Sequence, residues 1–147
     1  MKKTLLAASL AVALAPAAQA EIFISEYVEG SGNNKALELY NPGEQVVDLS
    51  NYRVRVFYNG STSSTNISLT GSLAAKQAFV IVNGQAVVGL RDLANLITGS
   101  ASWNGDDAIV LEKNGVVVDS FGRVGEDPGS SWSANNVRTV DRTLRRI

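Results

Sequence analysis

The sequence contains no cysteine and no histidine among its 147 residues. Without cysteine the chain can form no disulfide, so the fold must be stabilised by its hydrophobic core. Without histidine it can build neither a Ser-His-Asp nor a Cys-His catalytic site, and it has no histidine to ligate zinc or to act as a general base. Nucleophilic catalysis would then need lysine, aspartate, glutamate or tyrosine, and no catalytic constellation of these residues is visible. We therefore expect a protein that is not an enzyme.

The longest apolar run lies at the N-terminus and is short. Two lysines precede an apolar stretch from Leu5 to Ala15, and Ala18-Gln19-Ala20 has the small-x-small form that a signal peptidase cuts after. Because the run is too short to span a bilayer comfortably, residues 1–20 are predicted to be a secretory signal peptide, with a membrane anchor or a core helix as the alternative. Cleavage after Ala20 would leave residues 21–147 as one secreted or periplasmic domain.

Acidic residues only slightly outnumber basic residues. Without the two N-terminal lysines, 11 basic residues remain against 14 acidic residues, which gives a net charge of −3. This balance provides no overall basic footprint for nucleic acid. Four arginines nevertheless fall within the last ten positions, namely Arg138, Arg142, Arg145 and Arg146. Because runs of like charge are usually solvated, we interpret them as a tail or linker in preference to a DNA contact.

Short apolar segments separated by turn residues recur along the mature chain. They fall at 22–28, 36–40, 46–49, 52–58, 67–69, 78–82, 108–113, 116–121 and 137–144. In the alternating segment 52–58, Val54 and Val56 are predicted to face the core and Arg53 and Arg55 the solvent. The segment 85–100 is the least β-like, with leucines at roughly helical spacing. Short strands at this spacing predict an antiparallel sandwich or barrel.

One hairpin is predicted with particular clarity. Asn114-Gly115 joins the two apolar runs 108–113 and 116–121. Asparagine and glycine tolerate the positive φ angles of a type I′ turn, whose twist matches that of the flanking strands. The sequence therefore predicts two adjacent antiparallel strands here.

Three segments together resemble a known family. They are residues 24–41 (ISEYVEGSGNNKALELYN), residues 104–111 (NGDDAIVL) and residues 127–132 (DPGSSW), with TLRR at 143–146 closing the unit. This pattern resembles the lamin tail domain, in the bacterial version found at the N-terminus of secreted nucleases. The resemblance covers residues 21–146 and implies an all-β fold, an immunoglobulin-like antiparallel β-sandwich.

The same resemblance leaves two functions open. In the larger proteins a metal-dependent nuclease domain follows the lamin tail domain and uses histidine and aspartate residues with a divalent ion. That activity cannot be transferred to a chain without histidine. We expect an exported, non-catalytic binding module, with an N-terminal accessory domain or fragment of a secreted nuclease, assisting substrate binding or export, as the alternative. Extracellular DNA, a surface polymer or a protein would be its partner.

An acidic turn is the place where the sequence could hold a metal. Asn104, Asp106 and Asp107 offer hard oxygen ligands of the kind that calcium prefers, and Glu29 could add a carboxylate. Glu26 and Asp119 could contribute further carboxylates if the fold brought them near. The spacing is not that of an EF-hand, and the alternative is that Asn104 and Asp106 accept backbone hydrogen bonds in a tight turn.

Two tryptophans are candidates for stacking. Trp103 adjoins the acidic turn, and Trp132 lies in a polar segment. Either ring could stack on a sugar or a base. Because aromatic residues dominate small cores, a role in anchoring the core or a loop is the competing interpretation.

Overall fold

The computed structural model describes residues 20–146, so all but the last residue of the predicted signal peptide lie outside the described part. The strands are β1 Phe23–Glu29, β2 Lys35–Tyr40, β3 Val47–Asp48, β4 Tyr52–Phe57, β5 Thr65–Ser68, β6 Ser72–Leu73, β7 Ala78–Asn83, β8 Leu96–Thr98, β9 Ala108–Lys113, β10 Val116–Phe121, β11 Ser133–Ala134, β12 Val137–Arg138 and β13 Arg142–Arg145. A 3-10 turn spans Leu49–Asn51, and a short helix, α1, spans Val88–Arg91.

Two larger sheets form the layers of the fold. One has the strand order β13-β1-β2-β7-β8 and the other the order β10-β9-β4-β5. Neighbouring strands are antiparallel, except that β8 pairs with β7 in parallel. The prediction of an all-β, immunoglobulin-like sandwich is confirmed. The parallel pair arises because the segment between β7 and β8 crosses over through α1, in the region whose sequence is least β-like.

The core lies between the two sheets. Leu37, Leu39 and Ile81 of the first sheet pack with residues of the second sheet that include Val54 and Ile109. All five side chains are fully buried. Their alternation along the strands follows the two-residue period of a half-buried strand, and this burial provides the main stabilisation of a chain that lacks disulfides.

The predicted β9–β10 hairpin is present. Asn114 and Gly115 adopt φ angles of 50° and 81°, as a type I′ turn requires. Lys113 and Val116, on either side of the turn, are partners in the antiparallel register. The turn chemistry therefore fixed this pairing, as the sequence predicts.

Strand β4 follows its predicted alternation, and its two arginines also form ion pairs that the sequence did not predict. Val54 and Val56 are buried, and Arg53 is exposed, while Arg55 is half-buried. Both arginines pair with the buried carboxylate of Glu112 on β9, at 3.0 and 2.7 Å. The two guanidinium groups thus compensate a carboxylate that would otherwise lose its hydration without a partner.

The prediction of one strand over 137–144 is wrong. Residues Val137–Arg138 pair with Ser133–Ala134 in a small hairpin, and Arg142–Arg145 pair separately with β1. Asp141, between the two strands, has a φ angle of 52°, which an extended strand does not allow. The chain therefore turns between β12 and β13. Arg138 lies in β12, and Arg142 and Arg145 lie in β13. The interpretation of the C-terminal arginines as a tail or linker is therefore also wrong.

Among residues 20–146, no helix is long and apolar enough to cross a membrane. The loop Gly30–Asn34 between β1 and β2 is a compact turn in the structure. Its ends are joined by a hydrogen bond from Gly30 N to Asn34 O at 2.9 Å. Asn34 also accepts a hydrogen bond from the amide of Val87, which ties the loop to the start of α1.

Candidate functional site

The acidic turn before β9 is organised by Asp107. This residue is 1% exposed, and its carboxylate accepts hydrogen bonds from the amides of Asn104 at 2.7 Å and Asn59 at 2.9 Å. Burial raises the pKa of the Asp107 carboxyl, although the two amides act in the opposite direction. The side chain that accepts backbone hydrogen bonds in this turn is therefore that of Asp107. The sequence had indicated Asn104 and Asp106 for this role.

One of the four candidate calcium ligands, Glu29, already has partners within the protein. Glu29 is buried on β1, where its carboxylate contacts Lys35 Nζ and accepts a hydrogen bond from the amide of Asp141. Within the described part of the chain, no group of three or more carboxylate, histidine or cysteine side chains is placed to hold a metal ion. Calcium binding by Asn104, Asp106, Asp107 and Glu29 stays a prediction.

The two further carboxylates considered for that site lie elsewhere, against the end of the chain. Glu26 accepts two hydrogen bonds from the guanidinium of Arg145, at 2.8 and 3.0 Å. Asp119 accepts one from the guanidinium of Arg146 at 2.9 Å and another from the amide of Ile24 at 2.8 Å. These contacts join the end of β13 to β1 of its own sheet and to β10 of the second sheet.

The two tryptophans have different surroundings. Trp103 is fully buried and donates a hydrogen bond from Nε1 to the carbonyl of Val28 at 3.1 Å. Its place in the core agrees with the anchoring interpretation. Trp132 is half-buried and donates from Nε1 to the carbonyl of Asp107 at 2.9 Å. Of the two rings, only that of Trp132 is partly open to solvent.

Trp132 begins a small hairpin that the sequence analysis missed. Strands β11 and β12 are joined by Asn135 and Asn136, whose φ angles of 51° and 65° are both positive. At its base, Thr139 Oγ1 accepts a hydrogen bond from the amide of Trp132 at 3.0 Å and donates to the carbonyl of Gly105. The paired asparagines were the available signal, because asparagine tolerates the positive φ angles of a two-residue hairpin turn.

Two adjoining grooves run along this hairpin, and Ser133, Val137 and Arg138 line both. The arginine groove, of about 400 Å³, is completed by Asn136, Arg142 and Leu144. The tryptophan groove, of about 260 Å³, is completed by Arg123, Trp132, Ala134 and Thr139. Hydrogen-bond donors, positive charge and one aromatic ring therefore share a continuous surface.

The arginines of this surface differ from the other C-terminal arginines in their partners. Arg145 and Arg146 are paired with carboxylates, as described above. Arg138 and Arg142 form no ion pair with any residue of the range 20–146. Arg142 lies opposite Glu29 in the β1–β13 register, but the Glu29 carboxylate is already occupied by Lys35. Two guanidinium groups thus remain available for an external anion.

Arg123 extends the positive surface towards Trp132. Its guanidinium carbon lies 5.5 Å from the centroid of the Trp132 ring, a cation–π arrangement. Its carboxylate partner is Glu126, at 3.0 Å, and both side chains are more than half exposed. An exposed pair of this kind contributes little, so Arg123 can exchange it for another anion.

The comparisons with known proteins agree with this architecture. The sequence model of the Lamin Tail Domain matches residues 15–125, which is most of the chain. No curated protein matches the chain. The match ends before the β11–β12 hairpin and β13, although β13 completes one edge of the first sheet. The chain belongs to the lamin tail domain family and is an immunoglobulin-like interaction domain.

Proposed function

We propose that this protein is an exported, non-catalytic module that binds nucleic acid outside the cytoplasm through the arginine groove. The observation on which this rests is the pair Arg138 and Arg142, which line one groove without an ion-pair partner in the described chain. Arginine presents a planar set of donors that matches a phosphate, and such contacts dominate affinity for nucleic acid. A mature net charge of −3 argues for a local contact and against a diffuse basic surface.

The neighbouring groups suit a phosphate backbone. Ser133 and Asn136 add polar side chains to the arginine groove, and Val137 and Leu144 add apolar surface. Polar side chains of these types position the sugar-phosphate backbone in many nucleic-acid complexes. A surface polymer or an acidic protein would find the same two guanidinium groups, so binding of nucleic acid must be measured against these competitors.

Fluorescence anisotropy with a labelled oligonucleotide tests the proposal. The double substitution Arg138→Gln/Arg142→Gln should weaken binding about a hundredfold or more, because each charge-assisted contact contributes about 1.5–3 kcal/mol. The matched control Arg53→Gln/Lys76→Gln removes the same charge from two exposed cations that are paired with carboxylates away from the hairpin. An equal loss in both double variants would contradict the proposal, and so would binding that is tighter to a carboxylate polymer than to the oligonucleotide.

Export is supported by the sequence of residues 1–20, with its basic start, short apolar run and small-x-small cleavage motif. Glu21 accepts a hydrogen bond from the hydroxyl of Tyr52 at 2.5 Å and another from Lys113 Nζ at 2.6 Å. Ile22 is fully buried. Glu21 and Ile22 thus belong to the packed domain, and cleavage after Ala20 would leave their contacts intact. N-terminal sequencing of the exported protein should begin at Glu21, and a retained N-terminus would contradict this part of the proposal.

A second candidate function uses the same surface. Strand β13 runs along the arginine groove, so a nuclease domain joined after residue 147 would start beside bound nucleic acid. The module would then deliver substrate to that domain. Reading the genomic sequence beyond the codon for Ile147 tests this: an open reading frame with histidine and aspartate residues would support it, and an immediate stop codon would contradict it. Purified chain alone should leave plasmid DNA intact in either case.

A further inference from the structure

We infer that the site selects single-stranded nucleic acid, with the tryptophan groove receiving an unpaired base while the arginine groove holds the backbone. This inference rests on the proposed function and adds to it a contact that phosphate recognition does not require. Its basis is the position of Trp132 beside the two arginines: Arg138 lines both grooves, so a strand held there by its phosphates passes the indole ring.

The Trp132 ring is fixed in place. Its Nε1 donates to the carbonyl of Asp107 at 2.9 Å, and its edge lies against Gly122, where a Cβ atom would come within 2.6 Å of Nε1. Its amide is held by Thr139 Oγ1 at 3.0 Å. A ring that is already ordered loses little conformational entropy when a ligand stacks on it. Loop anchoring and ligand stacking are therefore compatible roles for this residue.

The Trp132 ring already accommodates a planar group. The guanidinium of Arg123 lies over it, with its carbon atom 5.5 Å from the ring centroid. The pair that Arg123 makes with Glu126 is exposed and therefore weak. A nucleobase is also planar and can stack on the indole or on the guanidinium plane, and Arg123 can then turn to a phosphate.

Stacking requires an unpaired base. In a duplex the base faces are covered by their neighbours, and extruding a base costs a few kcal/mol of unstacking and unpairing. A single strand offers its base faces without this cost. A sulfated polysaccharide could also stack a sugar ring on Trp132 and offer anions to Arg138 and Arg142, so it is included among the competitors.

Competition binding on the purified chain tests the inference. The probes are a short oligothymidylate, the same length of duplex, an abasic strand of equal length and a sulfated polysaccharide. The oligothymidylate should bind about fivefold or more tightly than the abasic strand, since stacking of one base on an aromatic ring contributes about 1–3 kcal/mol. It should also bind more tightly than the duplex and the polysaccharide.

Two variants at Trp132 separate stacking from structure. Trp132→Leu should lose the preference for the oligothymidylate over the abasic strand, whereas Trp132→Phe should retain most of it. Bound oligothymidylate should also quench tryptophan emission in the parent protein, and this quench should disappear in Trp132→Phe, because Trp103 is fully buried. If Trp132→Leu fails to fold, the quench in the parent and its loss in Trp132→Phe still decide the question.

The outcomes distinguish the two proposals. If none of the probes binds, the proposed function is overturned and this inference with it. If the single strand, the duplex and the abasic strand bind equally well, with no quench of tryptophan emission, phosphate binding stands and base stacking is overturned. Tighter binding of the duplex or of the polysaccharide also overturns the inference.

Discussion

The indole nitrogen of Trp132 donates a hydrogen bond to the backbone carbonyl of Asp107 at 2.9 Å. The side chain of Asp107 in turn accepts hydrogen bonds from the amides of Asn59 and Asn104. One residue thus connects the acidic turn before β9, the loop after β4 and the C-terminal hairpin. The candidate binding surface is therefore part of the packed structure, and its geometry depends on the packing and hydrogen bonds around Asp107 and Trp132.

The first prediction concerns Gly122, which lies under the Trp132 ring. Gly122 has a left-handed backbone with a φ of 73°, so Gly122→Ala should lower the free energy of unfolding by about 1–2 kcal/mol through backbone strain. The collision of the new Cβ atom with the Trp132 ring should lower it by about 1–3 kcal/mol more. Gly129→Ala is the matched control, because its φ is 89° and nothing lies within 4 Å of its Cβ position. Urea unfolding should show the larger loss at Gly122, and equal losses would argue against a tightly held ring.

The second prediction concerns the pH dependence of stability at Asp107. Burial raises the pKa of this carboxyl, so the folded protein holds the proton more tightly than the unfolded chain. Its contribution to stability is therefore full below the ordinary pKa of an aspartate, and it is lost as pH rises through the raised pKa.

Asp107→Asn removes this titration and serves as the reference. Thermal unfolding measured from about pH 4 to about pH 7 should show the parent losing stability relative to Asp107→Asn as pH rises. Contributions from carboxyl groups that do not interact with Asp107 cancel in the difference between the two proteins. A parent that gains relative stability with rising pH would show that the two amide hydrogen bonds outweigh burial.

The third prediction concerns the buried pair of Glu29 and Lys35 at the end of the sandwich. Both side chains are 7% exposed. Lys35→Met leaves the Glu29 carboxylate buried without its charged partner, which should lower the free energy of unfolding by about 3–5 kcal/mol. Adding Glu29→Gln should recover part of this loss, because the uncompensated charge is removed.

Lys76→Met provides the comparison for that pair. Lys76 pairs with Glu44 at 2.8 Å, but both side chains are more than half exposed. Its loss should change the free energy of unfolding by less than about 1 kcal/mol. Chemical denaturation of the three variants is sufficient, and similar losses for Lys35→Met and Lys76→Met would mean that the Glu29–Lys35 pair is hydrated.

Local sequence chemistry predicted much of the sheet structure. Asn114-Gly115 determined the β9–β10 hairpin because few residue pairs tolerate two positive φ angles, and the alternation of Val54 and Val56 placed β4 in the core. The parallel pairing of β8 with β7 was not predictable in this way. It depends on which sheet edge a short segment reaches after a crossover, and this is decided by packing over a long sequence separation.

The candidate site was less accessible to sequence reasoning. The carboxylates of Glu26 and Asp119 appeared free to bind a metal, but arginines more than 25 residues away in sequence occupy both. The same long-range pairing decides which arginines remain available. Arg138, Arg142, Arg145 and Arg146 form one cluster in the sequence, and only the fold separates the unpaired two from the paired two.

The salt dependence of oligonucleotide binding tests the central proposal most directly. For a single strand, the logarithm of the binding constant falls with the logarithm of salt concentration with a slope of about −0.7 per neutralised phosphate. Removing two phosphate contacts by Arg138→Gln/Arg142→Gln should therefore make the slope shallower by about 1.4, while Arg53→Gln/Lys76→Gln should leave it unchanged. A slope that is the same in the parent and in Arg138→Gln/Arg142→Gln would contradict the assignment of the arginine groove to nucleic acid.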